Sequence, residues 1–317
     1  MARVLVTRPL TEGGTDPLLE AGHEIVLLRQ DGTALTPEEL VRGAAECDGI
    51  VCHLTDRIDT AVLESGRSGK LRVVANAAVG YDNIDVARAR ALEIAVCNTP
   101  GVLDATTADL AFLLILAATR STSGAEDDLR HGRWTGWGFS THLAHDVHGA
   151  TLGLVGYGRI ARAVAQRAAG FDMEVLHTSR TNTGLPGYVA GLRELLARSD
   201  IVSLHVPLTE STQHLIGAAE LGLMKPTAVL VNTARGAVID ENALVDALEA
   251  GTIHGAGLDV FEGEPVVNER LLRAPRVTLL PHIGSATIAT RTRMARLASQ
   301  GVCDVLAGRT PPNLVLV

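Results

Sequence analysis

Short apolar runs recur through the first hundred residues: Val4-Leu5-Val6-Thr7, Glu24-Ile25-Val26-Leu27-Leu28, Gly49-Ile50-Val51-Cys52, Leu71-Arg72-Val73-Val74-Ala75 and Ile94-Ala95-Val96-Cys97. Polar stretches with helical spacing, such as residues 37–45, separate them. Runs this short, without polar alternation, suit strands covered on both faces, and their regular exchange with helices predicts a parallel sheet. Thr99-Pro100-Gly101 breaks the rhythm. A long helix is predicted next, from about residue 102 to 120, and its stretch 110–118 is apolar all round, as in a helix buried on every side. That stretch is too short to span a bilayer. Residues 121–148 are polar, rich in histidine and poor in strand signal, and they carry both tryptophans, Trp134 and Trp137. This segment reads as an arm, and two exposed tryptophans in a chain with few aromatics predict an interface. The strand–helix exchange resumes at Thr151, with strands expected at 152–155, 174–177, 201–205, 228–232, 257–260 and 277–280, and a final helix at 288–307.

The most informative junction is Thr151-Leu152-Gly153-Leu154-Val155-Gly156-Tyr157-Gly158-Arg159-Ile160-Ala161. An apolar strand runs into Gly156, Gly158 and the small residue Ala161, which fits the dinucleotide fingerprint G-x-G-x-x-G/A. Gly156 permits the tight turn, Gly158 lets a pyrophosphate approach the backbone, and Ala161 keeps the helix close to the strand. The N–H groups and dipole at the start of the helix, around Arg159 and Ile160, suit phosphate. The fold class is therefore α/β, with two doubly wound parallel-sheet domains. The last helix, after the second sheet is complete, is expected to return to the first domain.

The chain has 317 residues, enough for two cores, with 46% hydrophobic and 3% aromatic residues and a mean hydropathy of +0.20. The cores must therefore rest on Ala, Val, Leu and Ile. A formal net charge of −8 disfavours a nucleic-acid binder. Cys47, Cys52, Cys97 and Cys303 are scattered, with no disulfide framework or metal-site spacing, and read as buried thiols of a cytoplasmic protein. Arg3, Arg8 and Glu12 interrupt the start of the chain too early for a signal peptide.

Three motifs stand at successive strand ends: Asn232-Thr233-Ala234-Arg235-Gly236, then Asp259-Val260-Phe261-Glu262-Gly263-Glu264-Pro265, then Pro281-His282-Ile283-Gly284-Ser285-Ala286-Thr287. An Arg, an acid and a His at three strand carboxyl ends can converge beside a bound dinucleotide. Arg235 can fork onto a carboxylate. His282 can pass a proton near neutral pH, and Glu264 can orient its ring and favour the charged form. No metal is expected, because His282 and Arg235 already stabilise an oxyanion. After the expected second strand comes His177-Thr178-Ser179-Arg180-Thr181. An NAD site would carry an acid at Ser179. With Arg180 as a cation and Ser179 and Thr181 as hydroxyl donors, the site is expected to favour NADP(H), with NAD(H) possible.

With Val79-Gly80-Tyr81-Asp82-Asn83-Ile84-Asp85, Asn98-Thr99-Pro100-Gly101-Val102-Leu103 and Ser203-Leu204-His205-Val206-Pro207-Leu208-Thr209, these motifs resemble the D-isomer-specific 2-hydroxyacid dehydrogenases. The resemblance runs from about Leu71 to the end, more loosely from Met1, and looks closest to the glyoxylate/hydroxypyruvate reductase branch. It implies a discontinuous substrate domain, flavodoxin-like, over 1–98 plus 287–317, and a dinucleotide domain over 99–286. It implies Arg235 as carboxylate binder, His282 as acid/base and Glu264 as its partner. It further implies substrate contacts at Val79 and Gly80 through their N–H groups, at Leu54, and at Trp137 reaching a neighbouring subunit's pocket in a homodimer. Cofactor contacts are implied at Thr107, His205, Val206, Pro207, Thr212, Thr233, Ala234, Asp259 and Gly284. The chain departs from the family in Asp104-Ala105-Thr106-Thr107-Ala108-Asp109 and in residues 142–148. The absence of a regulatory domain after Val317 argues against the long phosphoglycerate dehydrogenases, and Glu264 argues against formate dehydrogenases. The implied reaction is hydride transfer between NAD(P)H and a small 2-oxo acid, giving the D-2-hydroxy acid, with no membrane or nucleic-acid partner. A dehydrogenase for a larger D-2-hydroxy acid, or a dinucleotide-sensing scaffold of the same fold, are the alternatives.

Overall fold

The computed structural model describes residues 1–182 and 184–316; Val317, the last residue of the expected 287–317 segment, lies outside them. In chain order the elements begin β1 (Arg3–Val6), α1 (Asp16–Glu20), β2 (Glu24–Val26), α2 (Pro37–Glu46), β3 (Gly49–Cys52), α3 (Thr60–Ser68), β4 (Val73–Asn76), α4 (Val86–Ala91) and β5 (Ala95–Cys97). Then come α5 (Asp104–Thr119), α6 (Thr122–Arg130), β6 (Thr151–Val155), α7 (Arg159–Ala169), β7 (Glu174–Thr178), α8 (Leu192–Arg198) and β8 (Ile201–Leu204). The chain closes with α9 (Ala218–Leu221), β9 (Val229–Asn232), α10 (Glu241–Ala250), β10 (Gly255–Leu258), α11 (Glu269–Arg273), β11 (Val277–Leu279) and α12 (Ile288–Leu306).

These elements form two units, Met1–Leu103 with Ser285–Val317, and Asp104–Gly284. The first holds a five-stranded parallel sheet in the order β2-β1-β3-β4-β5, the flavodoxin-like order. Strands β3 and β4 are buried at every residue, because a core covers each face of the sheet. On one side Leu5, Ile50, Leu63 and Val74 pack with α2 and α3. On the other, Val4, Val51 and Val73 pack with Ala298 and Val302 of α12. Local caps set the helix starts: Thr36 and Glu39 form a capping box on α2, and Asp59, Asp85 and Thr287 cap α3, α4 and α12. Such caps contribute about 1 kcal/mol each.

The second unit holds a six-stranded parallel sheet, β11-β10-β9-β8-β6-β7. It too is covered on both faces, by the cluster around Leu204, Leu230 and Leu248 and by the cluster around Leu114, Ile115 and Val164. Beyond β7, Tyr188 forms a single parallel bridge to His177, so the chain passes along that edge without building a further strand. Carboxyl ends of strands flanking the point where strand order reverses are the ligand-binding positions of such sheets. Here that point lies between β6 and β8.

Three expectations change. The 102–120 helix starts only at Asp104, and it is not buried all round, since Leu113 is half exposed while Leu114 and Ile115 are fully covered. The strand expected at 257–260 lies two residues earlier, in β10. A Cβ on Gly257 would come within 3.0 Å of the Leu114 side chain, so the strand's glycines let α5 lie close on the sheet. The 121–148 arm contains a helix, α6, none of whose residues is buried. Its polar face hid the helical period.

Candidate active site

The glycine turn of the second unit is built as its spacing predicts. Gly156 follows β6 with φ +88°, donates its N–H to Thr178 O at 2.9 Å, and lies so close to β8 that a Cβ would sit 2.6 Å from His205 O. Around Gly158 the space is open, with no neighbouring heavy atom within 4 Å of an added Cβ. Helix α7 starts on Gly158 without a capping side chain. Arg162 is the first residue to donate back into it, to Gly158 O. The preceding N–H groups, those of Arg159, Ile160 and Ala161, are the ones a helix start leaves for an anion. The Arg159 side chain turns to Asp104 at 3.2 Å, so Arg159 is placed to contribute its N–H.

At the end of β7, Ser179 Oγ donates to Thr181 O at 2.7 Å, and Arg180 and Thr181 are exposed. No carboxylate stands in this turn. The Tyr157 ring stacks on His177 at 3.7 Å, with the Arg162 guanidinium 5.6 Å from the Tyr157 ring centre, which braces the glycine turn against β7. At the end of β8, His205 Nε2 meets Ser203 Oγ at 3.0 Å, and burial pushes the imidazole down to about 4, so it is neutral. Val206 closes against Gly156. The Thr212 hydroxyl is taken up by its own loop, donating to Pro207 O at 2.6 Å.

The three charged residues depend on how the ends of β9, β10 and β11 are tied. Asn232 ends β9 fully buried. Its Oδ1 accepts from Ala234 N at 2.9 Å and its Nδ2 donates to Arg235 O at 2.8 Å, which closes the 232–235 turn and sets the Arg235 backbone. Arg235 Nη1 donates to Ala234 O at 2.8 Å. Gly236 is obligatory, because a Cβ there would fall 1.8 Å from the Phe261 carbonyl carbon. Asp259, buried after β10, accepts from Ile283 N and Gly284 N at 2.8 Å each, and its backbone oxygen accepts from His282 N at 2.8 Å. Burial lifts the Asp259 carboxyl above its ordinary value, against the opposing pull of these two N–H groups and of His282. The turn it organises places His282 at φ +54°, a conformation side chains other than glycine seldom adopt.

His282 Nδ1 meets Glu264 Oε2 at 2.7 Å, and Glu264 Oε1 accepts from Phe261 N at 2.9 Å. Burial raises the Glu264 carboxyl, but the bonds from His282 and Phe261 N and the charges of His282 and Arg235 outweigh it and hold the carboxyl below its ordinary value. Glu264 is therefore ionised at neutral pH, Nδ1 of His282 is committed to it, and Nε2 is the ring atom left for proton transfer. Thr107 lies beside Asp259 and Gly284, within 3.5 Å of a Cβ added at Gly284. Among the described residues, Thr233 Oγ1 is buried with no hydrogen-bond partner. An orphan hydroxyl in the Arg235 turn suits a polar group of a bound dinucleotide. With the open Gly158 turn, the residues present fit such a cofactor.

In the first unit, Leu54 is partly buried after β3, and Val79 and Gly80 lie in the loop after β4. Trp137 in the arm is 82% exposed. The sequence reading missed the residues that do the tying: Asn232, Glu241, whose Oε1 accepts from Glu262 N at 2.7 Å, and Asn83, whose Nδ2 bridges His53 O and Asp56 O. An Asn closing an apolar strand was the signal for Asn232. Glu241 offered only the ordinary acid of a helix first turn.

Comparison with known proteins agrees with this geometry. Residues 112–284 match the family model described as D-isomer specific 2-hydroxyacid dehydrogenase, NAD binding domain. A glyoxylate reductase of Thermococcus litoralis is 45% identical over 99% of this chain and 96% of its own. A crystal structure of a protein from Thermus thermophilus superposes with a TM-score of 0.93 at 43% identity, covering 99% of this chain and 100% of that one. An NADPH-dependent glyoxylate/hydroxypyruvate reductase of Sinorhizobium meliloti, solved with NADP and malonate, superposes with a TM-score of 0.86 at 36% identity, covering 99% and 96%.

Proposed function

The chain belongs to the D-isomer-specific 2-hydroxyacid dehydrogenases, and from that premise we propose that it reduces glyoxylate to glycolate and hydroxypyruvate to D-glycerate with NADPH. The observation that carries this reading is the His282–Glu264 pair at 2.7 Å, anchored through Asp259 beside the Arg235 turn and downstream of an open glycine turn. When bound, the reduced nicotinamide supplies the hydride that adds to the carbonyl carbon. Thr107, Thr233, Ala234, Asp259 and Gly284 would hold the nicotinamide end, the Gly156–Ile160 turn would hold the pyrophosphate, and His205, Val206, Pro207 and Thr212 would flank the nucleotide.

Arg235 forks onto the substrate carboxylate, with the N–H groups of Val79 and Gly80 as further donors and Leu54 against the substituent. As negative charge builds on the carbonyl oxygen, protonated His282 gives it the Nε2 proton, and Arg235 polarises the same oxygen. Glu264, ionised, stabilises the imidazolium and fixes the ring. In oxidation, neutral His282 takes the hydroxyl proton, so alkaline pH favours that direction. Turnover of a panel of 2-oxo acids tests the reading; failure to reduce either small 2-oxo acid overturns it.

Three finer points belong to the same proposal. The turn Ser179-Arg180-Thr181 pairs a cation and two hydroxyls with no acid to repel a 2′-phosphate, so kcat/KM is expected to be at least about tenfold higher with NADPH than with NADH, the scale of one charge-assisted contact. A ratio favouring NADH refutes the assignment. Secondly, Leu113, Leu129, Trp134, Trp137, Phe139 and Leu143 are all exposed, an apolar surface a monomer rarely leaves bare. A twofold homodimer covering it is expected, seen as twice the chain mass in light scattering at micromolar concentration; a monomer there refutes it. Thirdly, we place the protein in the cytoplasm. All four cysteines are free and buried, with burial raising Cys47 to about 11 and Cys97 to about 12. Among the described residues no helix is long and apolar enough to cross a membrane.

A further inference from the structure

The loop after β4 carries a backbone arrangement that chain composition does not explain. Three successive carbonyls are each taken by a donor. Ala78 O accepts from Thr99 N at 2.9 Å, Val79 O from Asn98 Nδ2 at 2.8 Å, and Gly80 O from Asn76 Nδ2 at 2.7 Å. In a trans peptide the C=O of one residue and the N–H of the next lie in one plane and point in opposite directions. Pinning these carbonyls therefore aims the N–H groups of Val79, Gly80 and Tyr81 away from the donors that hold them. Among the described residues none of these three N–H groups has a backbone acceptor, although Val79 and Gly80 are partly buried.

The asparagines are themselves held. Asn76, fully buried at the end of β4, also donates to Asn83 Oδ1 at 2.9 Å and accepts from Cys52 Sγ at 3.6 Å. The backbone oxygen of Asn98 accepts from Asn313 Nδ2 at 2.8 Å, and its N–H donates to Asn313 O at 3.2 Å. With its own attachment fixed, each asparagine acts as a rigid peg for the peptide it holds. A row of backbone N–H groups fixed in advance is an anion-binding edge whose ordering cost is met on folding, before any ligand arrives.

We propose that Asn98 and Asn76 are positioning residues for the substrate carboxylate. Through Val79 O, Asn98 sets the direction of the Gly80 N–H; through Gly80 O, Asn76 sets that of Tyr81, which becomes a third donor beside Val79 and Gly80. The proposal rests on the reading that this chain reduces 2-oxo acids. It adds the side chains that make the loop a carboxylate receptor.

The test compares wild type with Asn98→Ala and, as a second variant, Asn98→Ser, whose shorter side chain also fails to reach Val79 O. Both changes are neutral, so no added charge repels the substrate. Measured are KM and kcat for glyoxylate, the dissociation constant of the carboxylate analogue oxamate on the NADPH complex, the dissociation constant of NADPH alone, and the melting temperature. Expected are an approximately tenfold rise in glyoxylate KM and in the oxamate constant, kcat within about threefold, and an unchanged NADPH constant. Asn76→Ser is expected to act in the same direction. Unchanged glyoxylate KM and oxamate binding overturn the positioning role. So does weakening of NADPH and oxamate binding alike with a lowered melting temperature, or failure of both Asn98 variants to fold, since the asparagine is then structural only. If wild type itself neither turns over glyoxylate nor binds oxamate, the parent reading falls, an outcome distinct from a negative result in the variants alone.

Discussion

His282→Ala is expected to lower kcat for glyoxylate reduction by about 10³-fold, within the usual range for losing a positioned general acid, with NADPH binding retained. The ring is held by one side-chain bond, from Nδ1 to Glu264, and by a main chain clamped on Asp259. Removing the imidazole therefore leaves the Asp259 clamp on Ile283 and Gly284 in place. Single-turnover reduction and NADPH fluorescence titration separate chemistry from binding. Near-normal kcat means that another group delivers the proton. Glu264→Gln gives the complementary result. The carboxyl sits below its ordinary value, so through the neutral range it is an anion facing His282, and it protonates only as pH falls through that depressed value. A neutral amide no longer favours the imidazolium. The acid limb of the reductive pH–rate profile, which follows Glu264 protonation, is thus expected to vanish. An unchanged profile rules out the pair as the acid unit.

Arg235→Ala is expected to raise the glyoxylate KM by about 100-fold, the equivalent of losing one or two charge-assisted hydrogen bonds at about 1.5–3 kcal/mol each, with a smaller fall in kcat from lost polarisation of the carbonyl oxygen. The folding cost is small, because the turn is shaped by Asn232, whose side chain bonds the backbone of Ala234 and Arg235 rather than the Arg235 guanidinium. Arg235→Lys is expected to recover only part of the loss, since an ammonium cannot fork onto a carboxylate. Steady-state kinetics in glyoxylate at saturating NADPH checks both. An effect on kcat alone, with KM unchanged, places Arg235 outside the carboxylate contact.

Sequence alone determined the elements whose signal is local. Strands such as Gly49–Cys52 are buried at every residue, so they read as unbroken apolar runs. Gly156 announces its turn because few residues other than glycine accept φ +88°. Arg235, Glu264 and His282 were legible because each follows a strand, where parallel sheets bind ligands. The tertiary structure decided what depends on partners distant in sequence. That the strand begins at Gly255, two residues before the expected start, follows from the approach of α5, which is remote from it along the chain. The passage between units falls at Leu103/Asp104 and Gly284/Ser285, whereas the Pro-Gly signal pointed a few residues before the first of these and the expected second boundary, at 286/287, lay two residues after the other. Asn98 and Asn76 carry no chemical signature of their own. Asn98 reaches Val79 O, nineteen residues earlier, because β4 and β5 are neighbours in the sheet, whereas Asn76 reaches Gly80 O, four residues on, because the loop after β4 folds back on it.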